Sequence, residues 1–197
     1  CKGVGMSPRL VCQGADIPRL RTDAPALDAA AAQAAIVRFW QTLLAERHDP
    51  LTPLWVGAAV PFGMYPLLDH LSAASETCEI ALTRLVRYYP LVSPKLQVHV
   101  STEELVLEPT QGTIEQRRVI ASYATGIILS RLQAALGEPL APRKLELIAD
   151  PDSAETERLA TWIGARASYG RAAVRVVFRP ETWRRPLAGA QPALGFL

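Results

Sequence analysis

The residues of this 197-residue chain whose types could carry chemistry include three histidines, three cysteines and a set of tyrosines and tryptophans. His48, His70 and His99 stand 22 and 29 residues apart, which gives no local pair of imidazoles of the kind a helical metal site uses. Asp69 and His70 are adjacent, but neighbours on a helix point about 100° apart and cannot form an Asp-His dyad with each other. His48 reads as a helix-end residue favourable to the dipole, and His99 as a residue on the wet face of a strand. His70 lies on a largely apolar helix and is the one histidine able to face a cavity or bind a haem iron, although other haem signatures are missing. Cys1, Cys12 and Cys78 form an odd set without close spacing, against both a disulfide framework and a zinc site. Cys78 reads as a small core residue.

No nucleophile elbow, P-loop, dinucleotide fingerprint or His-Glu-x-x-His stands in the sequence, and the glycines Gly3 and Gly5 are too isolated to count. The expectation is therefore a chain with no catalytic residues and no cofactor, not an enzyme. The aromatic residues Tyr65, Tyr88, Tyr89, Tyr123, Trp55 and Trp162 can serve either a core or a pocket. In a pocket, a tyrosine supplies an apolar ring and one hydroxyl that orients a ligand. Tyr65 and Tyr89 are the best placed for that role, so Tyr65, His70 and Tyr89 form the candidate ligand-binding set.

Elements able to position these residues follow from local signals. Asp28 to Arg47 reads as a strong helix with Ile36, Phe39, Trp40, Leu43 and Leu44 as its core stripe, ended by His48, Asp49 and Pro50. A short helical stretch near Pro8 to Gln13 and an irregular run precede it. Leu51 to Val60 has room for one or two turns, and Met64 to Ala74 reads as a helix. Ser75 is a natural N-cap for the next, which starts near Glu76 and buries Cys78, Ala81, Leu82, Leu85, Tyr89 and Val92 while Glu79, Thr83 and Arg87 face water. Pro90 and Pro94 close it.

Period-two alternation over Leu96–Ser101 and Glu104–Glu108 predicts an antiparallel hairpin with one wet face. Thr113 with Gln116 is a capping box that opens a long helix through Leu136, carrying Ile120, Tyr123, Ile127, Ile128 and Leu132, and Gly137 sits where a left-handed C′ residue belongs. Lys144 to Ile148 reads as a third strand. A helix capped by Asp152 and ended by Gly164 carries Leu159, Trp162 and Ile163, and Val174 to Phe178 reads as a fourth strand. The order gives an α+β fold, several helices packed on a small mainly antiparallel sheet, in one domain spanning residues 1–197 with 1–6 irregular.

Composition agrees with a single globular core: 49% of residues are apolar and 20% charged. The formal charge is +2, and apart from Arg117-Arg118 and Arg184-Arg185 the arginines are dispersed, so they read as solvated residues and not as a phosphate-binding stripe. No uninterrupted apolar run reaches bilayer length, and CKGVGM lacks the regions of a signal peptide, so the reading is cytoplasmic with no membrane partner. Beginning at Cys1, the chain reads as a fragment of a longer protein.

The stretch Pro61 to Pro94, PFGMYPLLDHLSAASETCEIALTRLVRYYPLVSP, runs from a glycine through a short apolar helix, a small-residue break and an amphipathic helix ending in Arg-Tyr-Tyr to a strand pair. Together with the closing segment PETWRRPLAGAQPAL (Pro180 to Leu194), this order resembles the N-terminal, arabinose-binding-type domain of AraC/XylS-type transcription regulators over roughly Ser7 to Leu194. The resemblance implies a small-molecule effector, a homodimer, and DNA bound only through a C-terminal helix-turn-helix domain outside this chain. It names neither effector nor sign of regulation. Two rivals stay open. One is a stand-alone small-molecule enzyme or haem-type sensor, in which His70 converges with Glu76 or Glu79. The other is a dimerisation module without ligand, with no cavity above roughly 300 Å³ and an exposed apolar patch.

Overall fold

The computed structural model describes residues 29–189, and the helix opened at Thr113 is its central beam. In chain order the elements are α1 (Ala29–Arg47), α2 (Thr52–Ala58), α3 (Pro66–Ala73), α4 (Cys78–Tyr88), β1 (Leu96–Ser101), β2 (Glu104–Pro109) and α5 (Ile114–Leu136). They continue as β3 (Lys144–Glu146), α6 (Ser153–Ile163), β4 (Ala167–Ser168), β5 (Val174–Val177) and α7 (Pro180–Trp183). A 3-10 turn, Tyr89–Leu91, extends α4. The stretch at Pro8 to Gln13, Cys1, Cys12 and the closing Pro-Ala-Leu lie outside the described residues.

α5 starts and stops as its caps dictate. Thr113 Oγ1 accepts from the Gln116 amide at 3.3 Å, the Gln116 side chain accepts from the Thr113 amide at 3.1 Å, and Gly137 ends the helix in the left-handed region. By length and composition α5 is the one helix among the described residues able to cross a bilayer, yet 56% of its apolar window is buried inside the fold. That apolarity serves a core helix covered by neighbours on several sides.

Strand order is β1-β2-β5-β3-β4, antiparallel throughout except for the parallel β3–β4 pair. Alternation places Leu105, Leu107, Val174 and Val176 on one buried face while His99 and Glu108 face outward. The fold is thus α+β: among the described residues, seven helices pack on a five-stranded, mostly antiparallel sheet.

α2 lies against α5 at backbone contact. A Cβ on Gly126 would sit 2.0 Å from the Leu54 carbonyl oxygen, and one on Gly57 would sit 2.2 Å from that of Tyr123. Each helix has a glycine where the other's backbone passes, which explains a glycine inside a 23-residue helix, where it otherwise costs about 1 kcal/mol against alanine.

Several expectations shift. Thr77, and not Ser75, caps α4, its hydroxyl accepting from the Ile80 amide at 3.3 Å. Ser75 is buried, donating to the Leu71 carbonyl at 2.6 Å and accepting from Arg84 Nη1 at 3.0 Å, so tertiary partners claim it. The helix before it begins at Pro66 and not Met64, because proline's missing N–H costs nothing at the first helical position. On α1 the stripe is only partly buried: Leu43 is fully enclosed, Trp40 and Phe39 are half-buried and Ile36 is 53% exposed. Val92 is also exposed, since the 3-10 turn carries it off the α4 stripe. Strands β3 and β5 are shorter than expected, although Leu147, Ile148 and Phe178 beyond them remain buried. β4 and α7 are additions.

Candidate functional site

Helices α1, α3, α4 and α5 do not close fully on one another. Between them is a cavity of ≈ 200 Å³. Most of its wall is apolar: Ile36 of α1, Leu68 of α3, Leu85 of α4, and Val119, Ile127 and Ile128 of α5. Trp40 stands edge-on to the Tyr123 ring at 5.5 Å, joining α1 to α5 across the opening. An adjoining cavity of ≈ 220 Å³ shares Ile36, Trp40, Val119 and Ile120, so the exposed side of α1 borders both.

Three tyrosines supply the hydroxyls. Tyr65 comes from the N-cap of α3, Tyr89 from the C-cap of α4 and Tyr123 from mid-α5. The Tyr65 and Tyr123 hydroxyls are 3.1 Å apart, within hydrogen-bond reach. Tyr89 is 5% exposed, and its hydroxyl has no hydrogen-bond partner among the described residues. Burial pushes the phenols of Tyr89 and Tyr123 up from their ordinary value; for Tyr123 the Tyr65 hydrogen bond adds to this. Both stay protonated at neutral pH and present an O–H donor.

One ion pair borders the cavity. Arg131 Nε donates to Asp69 Oδ1 at 2.7 Å, with the Asp69 side chain 1% exposed. Asp69 Oδ2 accepts from the amides of Gly63 at 2.6 Å and Tyr65 at 3.2 Å, while Arg131 Nη1 and Nη2 donate to the carbonyls of Val60 at 2.9 Å and Pro61 at 3.0 Å. The pair therefore holds the segment 60–65 and fixes where Tyr65 enters the wall. Asp69, Ser72 and Arg131 also line a separate cavity of ≈ 240 Å³ whose far side is Ala188 and Gly189.

The structure brings Tyr65 and Tyr89 together in one wall and leaves His70 out of it. His70 is exposed, edge-on to Phe62 at 5.7 Å, because Asp69 takes the inward direction on the short α3 helix. Its ring meets Phe62 and not Glu76 or Glu79. Trp55 and Trp162 meet edge-on at 5.5 Å away from this cavity, with Arg158 over the Trp55 ring at 4.2 Å. Among the described residues no group of three or more His, Cys, Asp or Glu side chains could hold a metal ion. Sequence reasoning missed Trp40, Ser72, Asp69 and Arg131 as wall residues. A signal existed for Asp69 alone: a carboxylate on an otherwise apolar short helix needs a partner once buried.

The family model described as the arabinose-binding domain of AraC transcription regulators, N-terminal, matches residues 5–187. No curated protein matches the chain significantly. Among solved structures, the crystal structure of the transcriptional regulator CdpR from Pseudomonas aeruginosa is similar in fold, with a TM-score of 0.55 at 15% identity. The match covers 95% of this chain and 59% of that one.

Proposed function

The chain belongs to the family of N-terminal arabinose-binding domains of AraC transcription regulators, and from that premise we propose that the tyrosine-lined cavity receives the small-molecule effector of one such regulator. The observation that carries this reading is Tyr89: the residue is 5% exposed, it lines the cavity beside the hydrogen-bonded Tyr65–Tyr123 pair, and its hydroxyl has no hydrogen-bond partner among the described residues. A ligand oxygen accepting from that hydroxyl adds one hydrogen bond, a net gain of about 0.5–1.5 kcal/mol.

In this reading the chain is the sensing and dimer-forming part of a cytoplasmic regulator, and DNA is read by a C-terminal helix-turn-helix domain attached to it. CdpR, of which the match spans 59%, leaves room for such a part. An effector shifts the regulator only by as much as it prefers one conformation. α3 is a suitable moving element, because it carries Leu68 and Ser72 of the cavity on the same helix as Ala73, whose carbonyl lies 2.7 Å from where a Cβ on Gly189 would stand.

A dimerisation module without ligand is the second reading, favoured by a cavity below the roughly 300 Å³ of drug-sized sites and by exposed Phe62, Met64 and Leu91. It gives the Tyr89 hydroxyl no partner. Thermal melts against a metabolite panel separate the two. An effector at one hundred times its Kd adds about 2.7 kcal/mol to the unfolding free energy, and Ile127→Trp, which fills the cavity, abolishes that gain. Stabilisation that survives the filled cavity contradicts the proposal.

A further inference from the structure

Resting on the reading of this cavity as the effector site, we infer that its ligand is an uncharged, mainly apolar molecule of single-ring size carrying one or two hydrogen-bonding oxygens, and not a sugar or a carboxylate. Charge decides the first part. Among the described residues the one guanidinium in the wall, Arg131, is paired with Asp69 at 2.7 Å, and each of its three nitrogens donates one hydrogen bond, to Asp69, Val60 and Pro61. Asp69 in turn has both oxygens occupied. Among the described residues the wall therefore carries no net charge, and a carboxylate entering it would lose its hydration beside Asp69 and meet only a guanidinium whose charge is already paired.

Hydrogen-bonding capacity decides the second part. Beyond the ion pair, the wall's side-chain hydroxyls are those of Tyr65, Tyr89, Tyr123, Ser72 and Ser93, and the Tyr65 and Tyr123 hydroxyls already face each other. A pentose bears a hydroxyl on nearly every carbon. Against Ile36, Leu68, Leu85, Val119 and Ile127 several of these would go unpaired, each at the desolvation cost of a buried hydroxyl. One ring with a carbonyl or hydroxyl suits the wall: its oxygen accepts from Tyr89, and its apolar body packs against α1 and α5. The sugar in the family's description therefore does not describe this cavity's chemistry.

Calorimetric titration of the protein at neutral pH with acetophenone, benzoate and L-arabinose tests the inference. Acetophenone is expected to bind, with benzoate and L-arabinose at least tenfold weaker. Tyr89→Phe, which keeps the ring and so the packing, is expected to weaken acetophenone roughly tenfold, the loss of one hydrogen bond. Benzoate or L-arabinose binding more tightly than acetophenone, in a manner sensitive to Tyr89→Phe, overturns the ligand class and leaves the cavity as the sensing site. Acetophenone binding that Tyr89→Phe does not change overturns the assignment of this wall. No binding by any probe, with a metabolite panel that also fails to raise the melting temperature, overturns the ligand class and the sensing reading together.

Discussion

Arg131 Nε lies 2.7 Å from Asp69 Oδ1, and the two side chains, 11% and 1% exposed, close the wall between the tyrosine cavity and the segment at Ala188 and Gly189. The residues are 62 apart in sequence. Asp69 secures the amides of Gly63 and Tyr65, and Arg131 secures the carbonyls of Val60 and Pro61, so one pair orders the whole loop that delivers Tyr65.

Breaking that pair from one side leaves an uncompensated buried charge, at a cost of about 3–5 kcal/mol. Asp69→Asn is expected to lower the melting temperature by roughly 10 °C, at about 2–4 °C per kcal/mol for a domain of this size. The double variant Asp69→Leu, Arg131→Met regains part of that loss, since neither charge remains. Urea denaturation of the wild type, Asp69→Leu, Arg131→Met and the double variant measures the coupling; additive losses would show that the two groups do not act as a pair.

The contact between α2 and α5 gives a second test. Gly126→Ala places a methyl 2.0 Å from the Leu54 carbonyl oxygen and 2.7 Å from the Ala58 nitrogen, so the helices must separate. The expected loss is about 3 kcal/mol by urea denaturation. Gly137→Ala meets no atom within 4 Å and costs only left-handed backbone strain, about 1–2 kcal/mol. Equal losses at the two positions would contradict the close crossing.

Stability is expected to fall on the alkaline side. Burial pushes the Cys78 thiol up to about 11 from 9.0, and pushes the Tyr89 and Tyr123 phenols up in the same direction from 10.0. The unfolded chain therefore releases these protons first. Their contribution is whole below about pH 9 and is lost as pH rises through the folded values, because deprotonation favours the unfolded state. Unfolding free energies measured in urea should be flat from pH 7 to 8.5 and decline above pH 9, with a shallower decline in Cys78→Ala. A profile that stays level to pH 11 would contradict the burial of these groups.

Features written within a few residues were legible in the sequence. Thr113, Gln116 and Gly137 bound α5 through contacts no more than four residues long, and the alternation of β1 and β2 follows from one wet face. Where two polar residues both suit a cap, tertiary partners decide. Ser75 and Thr77 both qualify, and the Leu71 carbonyl and the Arg84 guanidinium claim Ser75. β4 is two residues long and depends on its pairing with β3, so no local pattern announces it. At the site, Tyr65 and Tyr89 are legible as aromatics with a hydroxyl to spare. The apolar helix around His70 points it toward a cavity, but the structure turns it outward because Asp69 next to it turns in. The exposure of Ile36 depends on how far α1 stands from α5, a distance that helical periodicity does not encode.

The most direct measurement of the central claim is the effector dose-response of a promoter reporter driven by the intact regulator, wild type against Tyr89→Phe. If the tyrosine cavity receives the effector, the half-maximal concentration rises roughly tenfold while output at saturation is unchanged, because one hydrogen bond to the ligand is lost and the switch is intact. A dose-response that Tyr89→Phe leaves in place, or one that persists when this whole domain is deleted, would contradict it.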